Sequence, residues 1–420
     1  MAEKRTEKKK KSRRSFIAPS HTKGYYRFSK DFPSVTDAEG YRDNDLIVNS
    51  PAKKASVKRR LIALFLGVFA LTFSVTLLLF AISEVPVAPS AESVTGENEV
   101  KKFSGNSSIY IKGTVLSMSS AESIIGNVRY HGMDTVIIDF KDAAGNFYYN
   151  PSLNVAGDAL SFASDNAEKI VKEFQSASIR VYARFCMYAD DIYARTNQSE
   201  AAYVMTPAED GTDAVTRTVW YNEGEDSHAW LNPFSAEVQY YLRCCIEDIN
   251  AMGVDGIILD YVSIPLSAKN SAVIFDGKGE TSPDEKITDF IKWLGNTYIS
   301  CETAAVIPSD AMLEAFRTDT APEIFNSGCE YIVPDLRLSL MPENTIIGTR
   351  QYAKPALSPV EFVTDYINAL KRLIGENDLR IMPLIEASGT SSAEIDTLSG
   401  ISNDSFIIYS KDNDYKNENF

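Results

Sequence analysis

Three acidic residues close short β-branched runs. Asp260 follows Gly256-Ile257-Ile258-Leu259. In a strand, side chains alternate between two faces, so Gly256, Ile258 and Asp260 share one. If that face lines the inside of a closed sheet, Asp260 points into its mouth. Asp139 and Lys141 share a face by the same count, Glu386 is in phase with Met382 and Leu384, and Arg184 is in phase with Arg180 and Tyr182. Two carboxylates facing each other across a gap suit acetal cleavage. One protonates the leaving oxygen; the other attacks the anomeric carbon or activates water. Asp260 and Glu386, on nearly opposite strands, would meet across the mouth, with Asp139 as the other candidate partner. A neighbouring carboxylate or an apolar wall would raise the pKa of one member and let it serve as the acid. Lys141 and Arg184 would tune the charge. For each acid taken singly, the plainer role is a helix cap or an ion pair with Lys141 or Arg184.

Aromatic residues gather around these acids. Tyr148, Tyr149, Tyr188, Tyr193, Trp220, Tyr221, Trp230 and Tyr261 fall in or beside segments that leave the strand ends. Flat rings suit the apolar faces of sugars, although ordinary loop packing also uses them. Asn222, Glu223 and His228 are candidate partners for sugar hydroxyls. Other chemistries lack their residues. No G-x-S-x-G elbow supports Ser-His-Asp catalysis. The chain has three histidines (His21, His131, His228) and no H-x-x-H pair, so neither a zinc site nor any other cofactor is expected. Its five cysteines (Cys186, Cys244, Cys245, Cys301, Cys329) lie in apolar stretches without a C-x-x-C, which favours buried thiols over disulfides.

The elements that must position these groups alternate. β-Branched runs at 109–117, 134–140, 179–187, 255–262, 302–307, 330–336, 380–387 and 405–410 are read as eight strands. Helical patterns separate them, at 119–132, 165–177, 235–253, 282–298, 309–319, 358–375 and 391–400; several start at Ser or Asp and four end at Gly. Strands alternating with helices imply a parallel sheet, and eight in about 310 residues suit an α/β (β/α)8 TIM barrel. A doubly wound open sheet is the competitor. It is disfavoured by the absence of a Gly-rich phosphate loop after the first strand. Long segments at 188–234, 263–284 and 337–357 leave C-terminal strand ends, where barrels build their sites.

Charge divides the chain. Residues 1–60 hold 17 Lys/Arg and 7 Asp/Glu, a net +10; the remainder holds 25 and 50, a net −25. The acidic part would repel phosphates, so no nucleic-acid partner is expected. Residues 61–82, LIALFLGVFALTFSVTLLLFAI, carry no charge and reach the roughly 20 residues that cross a hydrocarbon core. Lys53, Lys54, Lys58, Arg59 and Arg60 precede this run, and Ser83 and Glu84 follow it. By the positive-inside rule the N-terminus is cytoplasmic and the C-terminal domain extracellular. The expected organisation is a disordered basic tail at 1–60, a single-pass membrane anchor at 61–82, a linker or stalk at 83–108, and a barrel at 109–420.

Four stretches resemble a bacterial glycoside hydrolase domain family of unassigned function, a (β/α)8 barrel distantly similar to α-amylase-type enzymes. Lys112-Gly113 with Ser119-Ser120-Ala121-Glu122-Ser123 matches its opening, and Val136-Ile137-Ile138-Asp139-Phe140-Lys141-Asp142 with Gly145 matches its second strand. Ala183-Arg184 with Asp190 matches the third. The most specific match runs from Trp230-Leu231-Asn232-Pro233 through Gly253-Val254-Asp255-Gly256-Ile257 to Asp260-Tyr261-Val262-Ser263-Ile264-Pro265. The resemblance implies a sugar-active barrel. Asp139 and Asp260 would lead the chemistry, and Lys141, Asp142, Arg184, Asp190, Trp230 and Tyr261 would bind substrate. Four positions depart from the family pattern: Ala189, Asn232 and Ser263 stand where it has Lys, Asp and Arg, and Glu386 where it more often has an amide.

The expectation is a membrane-anchored, extracellular glycoside hydrolase acting on wall or surface polysaccharide. Asp260 would be nucleophile or base, and Asp139 or Glu386 its partner. The four departures motivate an alternative, a barrel of the same fold that binds carbohydrate without cleaving it. A sensor signalling through the basic tail is the third option.

Overall fold

The computed structural model describes residues 107–410, apart from 208–213, 225–226, 270–271, 387–399 and 401–404. The expected tail, anchor and nearly all of the linker lie outside the described residues, as does most of the last expected helix. No helix among the described residues is long and apolar enough to cross a membrane.

All eight expected strands form. They are β1 (Ser107–Ile111), β2 (Thr135–Lys141), β3 (Arg180–Cys186), β6 (Gly256–Asp260), β7 (Glu302–Ile307), β8 (Tyr331–Pro334), the split segment β11 (Arg380–Ile381) and β12 (Leu384–Glu386), and β13 (Phe406–Tyr409). Every pairing among them is parallel, in the order β11-β8-β7-β6-β3-β2-β1-β13-β12. Since β11 and β12 are two halves of one segment, the two ends of this order meet. β11 pairs with β8 and β12 with β13, while Leu384 also bridges to Asp335 beyond β8. The fold is α/β and TIM-barrel-like.

The split has a local cause. Pro383 has no N–H to give the ladder. Its carbonyl still accepts from Ile407 N at 2.8 Å, and Met382 N donates to Ile332 O at 2.9 Å, so the strand changes partner at the proline. The first expected strand is also shorter than 109–117. It ends at Ile111, and Gly113–Ser117 turns into a 3-10 helix. The loops expected at 188–234 and 337–357 contain two antiparallel hairpins, β4 (Tyr203–Pro207) with β5 (Val215–Val219), and β9 (Thr345–Ile347) with β10 (Arg350–Tyr352).

Helices flank the sheet where expected: α1 (Glu122–Tyr130), α2 (Ala167–Ser176), α4 (Ala236–Ala251), α6 (Pro283–Thr297), α7 (Ser309–Thr318) and α8 (Pro359–Ile374). Two shorter ones, α3 (Asp191–Thr196) and α5 (Leu266–Lys269), occupy the loops after β3 and β6. Ser235 Oγ caps α4 by accepting from Val238 N at 3.1 Å, and Ser282 Oγ caps α6 through Glu285 N at 3.1 Å. In α8, Phe362, Val363, Tyr366, Ile367 and Leu370 are buried, the three-and-four spacing of a helix lying on a sheet. Inside the ring a separate cluster is formed by Ile137, Tyr182, Ile258, Ala304, Tyr331 and Met382. Gly256 makes room for it, since a Cβ there would come 2.8 Å from the Tyr182 ring.

One expected facing is wrong. Asp139 pairs with Arg184 and Lys141 with Phe185, because β2 slips register between them. This bulge puts Asp139 inward and turns Lys141 to the outer face. There Lys141 is fully buried and pairs with Asp190 at 2.9 Å. Its Nζ also donates to Cys186 O at 2.9 Å. Asp190 caps α3 through Tyr193 N at 2.8 Å and accepts from Tyr241 Oη at 2.8 Å. Removing one partner of a buried ion pair leaves the other charge uncompensated. Lys141→Ala is therefore expected to destabilise the protein by about 3–5 kcal/mol in urea unfolding. Lys141→Met combined with Asp190→Asn should recover part of that loss; a double variant no better than Lys141→Ala would count against an ion-pair origin.

Candidate active site

At the C-terminal ends of the strands the ring opens into a cavity of about 460 Å³. Its floor is Ile137, Ile258, Val306, Val333 and Ile407, and above it stand Asp139, Arg184, Asp260, Asp335 and Arg337 with Tyr110, Tyr148, Tyr261 and Tyr409. Two larger cavities, about 590 and 710 Å³, lie elsewhere and lack Asp139, Arg184 and Asp260. The chemistry, not the volume, singles out the one at the mouth.

Arg184 is the centre of the site. Its Nη1 donates to Asp139 Oδ1 at 2.7 Å, and its Nε and Nη2 donate to Asp260 Oδ2 at 2.9 and 2.6 Å. The strand order explains the meeting, since β3 lies between β2 and β6. The remaining oxygens are also held. Tyr110 Oη donates to Asp139 Oδ2, and Tyr261 N donates to Asp260 Oδ1 at 2.7 Å. Tyr261 has φ +53°, a left-handed conformation that costs a non-glycine residue energy. That conformation accompanies the hydrogen bond to Asp260 and sets the ring on the cavity wall.

A second pair faces this group. Arg337 holds Asp335 through Nε to Oδ1 at 2.9 Å and Nη2 to Oδ2 at 2.6 Å. Its guanidinium lies 5.0 Å from the centre of the Tyr409 ring, which is 5.1 Å from that of Tyr110. Both arginines hold their protons more tightly than usual: against burial, Arg184 feels Cys186, Asp260 and Asp139, while Arg337 is held mainly by Asp335. Burial raises the carboxyl of Asp139 above the ordinary carboxylate range, and Arg184 and Tyr110 offset only part of that rise.

Of the residues expected from sequence, Asp139, Asp142, Arg184, Asp260 and Tyr261 line the cavity. Glu386 does not; it accepts from Ser339 Oγ at 2.6 Å and Ser339 N at 3.2 Å, and so holds the loop after β8. Lys141 and Asp190 form the buried pair described above and do not line it either. Trp230 is buried behind Tyr261, with ring centres 5.9 Å apart, and its Nε1 donates to Asn222 Oδ1 at 3.2 Å. His228 reaches the wall and pairs with Asp191 at 3.0 Å. Sequence reasoning missed Tyr110, Asp335, Arg337 and Tyr409. Alternation was a usable signal for Asp335, which continues the inward phase of Tyr331 and Val333.

A model of the family described as "Putative glycosyl hydrolase domain" matches residues 108–397, and the chain belongs to that family. No curated protein matches the chain. Among solved structures it is similar to the glycoside hydrolase domain of PgaB (BpsB) from Bordetella bronchiseptica, at 13% identity over 73% of this chain and 94% of that one, TM-score 0.48. It is also similar to an alpha-glucosyl transfer enzyme, XgtA, at 14% identity over 72% and 66%, TM-score 0.43. A hypothetical protein from Ruminiclostridium thermocellum matches at 17% identity over 47% and 96%, TM-score 0.37.

The raised carboxyl of Asp139 has a stability consequence. A folded-state pKa above the unfolded one favours folding below the unfolded value, near 3.9, and that contribution is lost as pH rises through the folded value. Asp139→Asn is thus expected to raise the melting temperature at pH 8 by about 2–4 °C. The gain should shrink toward zero near pH 3.5. Equal shifts at both pH values would show that the carboxyl is not perturbed in this direction.

Proposed function

We propose that this member of the glycosyl hydrolase domain family cleaves glycosidic bonds at the barrel mouth, with Asp260 and Asp139 as the working carboxylates. One observation carries the reading: a single guanidinium reaches both acids on the wall of an open cavity. Asp260 is the group that attacks the anomeric carbon or activates water, because Arg184 and Tyr261 N fix both of its oxygens at the barrel mouth. Asp139 is the group that exchanges a proton with the glycosidic oxygen, because burial favours its neutral form. Asp335 and Arg337 make the facing wall, and the tyrosines offer flat faces and hydroxyls to the ring. The apolar, uncharged run at 61–82 with its basic flank supports an anchored, extracellular enzyme that meets wall or surface polysaccharide.

A non-catalytic carbohydrate-binding role is the second reading. It is favoured by the occupancy of both oxygens of each acid, since Asp139 and Asp260 already accept from Arg184, Tyr110 and Tyr261. Reducing-end release from a panel of wall and surface polysaccharides separates the two. Hydrolysis is expected, with Asp260→Asn lowering turnover by about 10³-fold or more and Glu386→Gln leaving it within roughly threefold. Activity should fall as pH rises through the raised pKa of Asp139, and Asp139→Asn should abolish that limb. Glycan binding without turnover would establish the second reading. Loss of activity in Glu386→Gln but not in Asp260→Asn would overturn the assignment of roles.

A further inference from the structure

The cavity wall on the β1–β2 side continues outward as an aromatic shelf. Tyr148, half-buried, lines the cavity. It is fixed on several sides. Its N–H donates to Phe140 O at 3.0 Å, and its Oη donates to Asp142 Oδ2 at 3.0 Å. Its ring lies so close over Gly113 that a Cβ there would come 2.2 Å from the ring. Phe162 stacks on Tyr148, with ring centres 5.8 Å apart and planes 24° from parallel, yet it is 48% exposed. Turn hydrogen bonds shape the segment carrying it. Ala163 N donates to Leu160 O at 3.1 Å, and Ser161 Oγ donates to Asp158 O at 2.7 Å. A large apolar ring that stacks on a ring of the cavity wall and keeps its other side open is well suited to receiving a flat apolar face. The wall formed by Tyr261 carries rings too, since His228 meets Tyr261 edge-on at 5.9 Å.

We propose that Phe162, backed by Tyr148, is a stacking subsite for a pyranose ring next to the one in the cavity, so that the site takes an internal stretch of a polysaccharide chain. This inference rests on the glycosidase reading and names the form of its substrate. The occupant is another residue of the same chain, because the shelf is continuous with the cavity wall through Tyr148. A sugar ring is also the ligand that Phe162 can recognise without a charged or hydrogen-bonding group of its own.

The test uses the full chain carrying Asp260→Asn, so that bound glycan survives, and measures affinity by calorimetry for di- and hexasaccharides of the cello-, chito- and deacetylated chito- series. At least one hexasaccharide is expected to bind more tightly than its disaccharide. Phe162→Ala should weaken that hexasaccharide by about five- to tenfold and change the disaccharide by less than about twofold. Phe162→Trp should restore the length preference, and the exposure of the position lets both variants fold. If Phe162→Ala leaves hexasaccharide affinity unchanged, or chain length makes no difference, the subsite is wrong while the glycosidase reading stands. If no saccharide in the three series binds and the wild-type chain releases no reducing ends from the polysaccharide panel, both are wrong.

Discussion

The mouth of the barrel depends on one guanidinium. Asp139 and Asp260 sit on β2 and β6, which are separated by β3. Neighbouring strands are about 4.8 Å apart, so the two acids start roughly 10 Å from each other at the backbone. They lean together because Arg184, on the intervening strand, reaches both. A planar fork with several donors is needed for this; a lysine, with a single ammonium, would hold one carboxylate well and the other poorly. Without the cation, two buried carboxylates would repel, and one would take up a proton. With it, the pair lies in a largely desolvated wall while remaining chemically distinct. Asp260 is bound by two arms of the fork and its neighbour's N–H, Asp139 by one arm and a phenol.

This centre was largely legible in the sequence because regular strands alternate. Ile258 and Asp260 have the same parity, as do Tyr182 and Arg184, and the ring keeps that parity as far as the mouth. Reading failed where the backbone leaves the regular repeat. Lys141 is two residues from Asp139, yet the bulge between them inverts its facing and converts an expected site residue into half of a buried ion pair. Glu386 has the correct phase with Leu384, but phase says nothing of height, and it engages the loop after β8 instead of the cavity. Tyr110 and Tyr409 were missed because a tyrosine in a strand looks like core until its hydroxyl partner is known. No sequence rule pairs Tyr110 with Asp139, which lies on the next strand.

Both irregularities serve the site. The bulge in β2 releases Lys141 outward to Asp190, and Asp190 in turn starts α3 in the loop after β3. The acid on the inner face and the loop on the outer one are thereby set by the same displaced residue. Pro383 acts similarly at the seam. By removing one ladder donor it lets the Arg380–Glu386 segment serve β8 with its first half and β13 with its second. The seam brings Tyr409 and Arg337 to the cavity, opposite the strands that carry the acids.

The charge arrangement finally limits what can select the substrate. Residues 61–420 carry a net −25, yet the cavity is lined by four carboxylates and three cations. Arg184 answers Asp139 and Asp260, and Arg337 answers Asp335. A ligand entering this cavity meets little net charge, and the acidic surroundings disfavour polyanions at long range. Discrimination therefore falls to shape, hydroxyl contacts and ring stacking. The wall supplies these through Tyr110, Tyr148, Tyr261 and Tyr409, and beyond it through Phe162. A sugar ring offers apolar faces above and below a rim of hydroxyls. It satisfies such a wall without disturbing the ion pairs behind it, whereas a charged group would have to compete with Arg184 or Arg337 for partners already made.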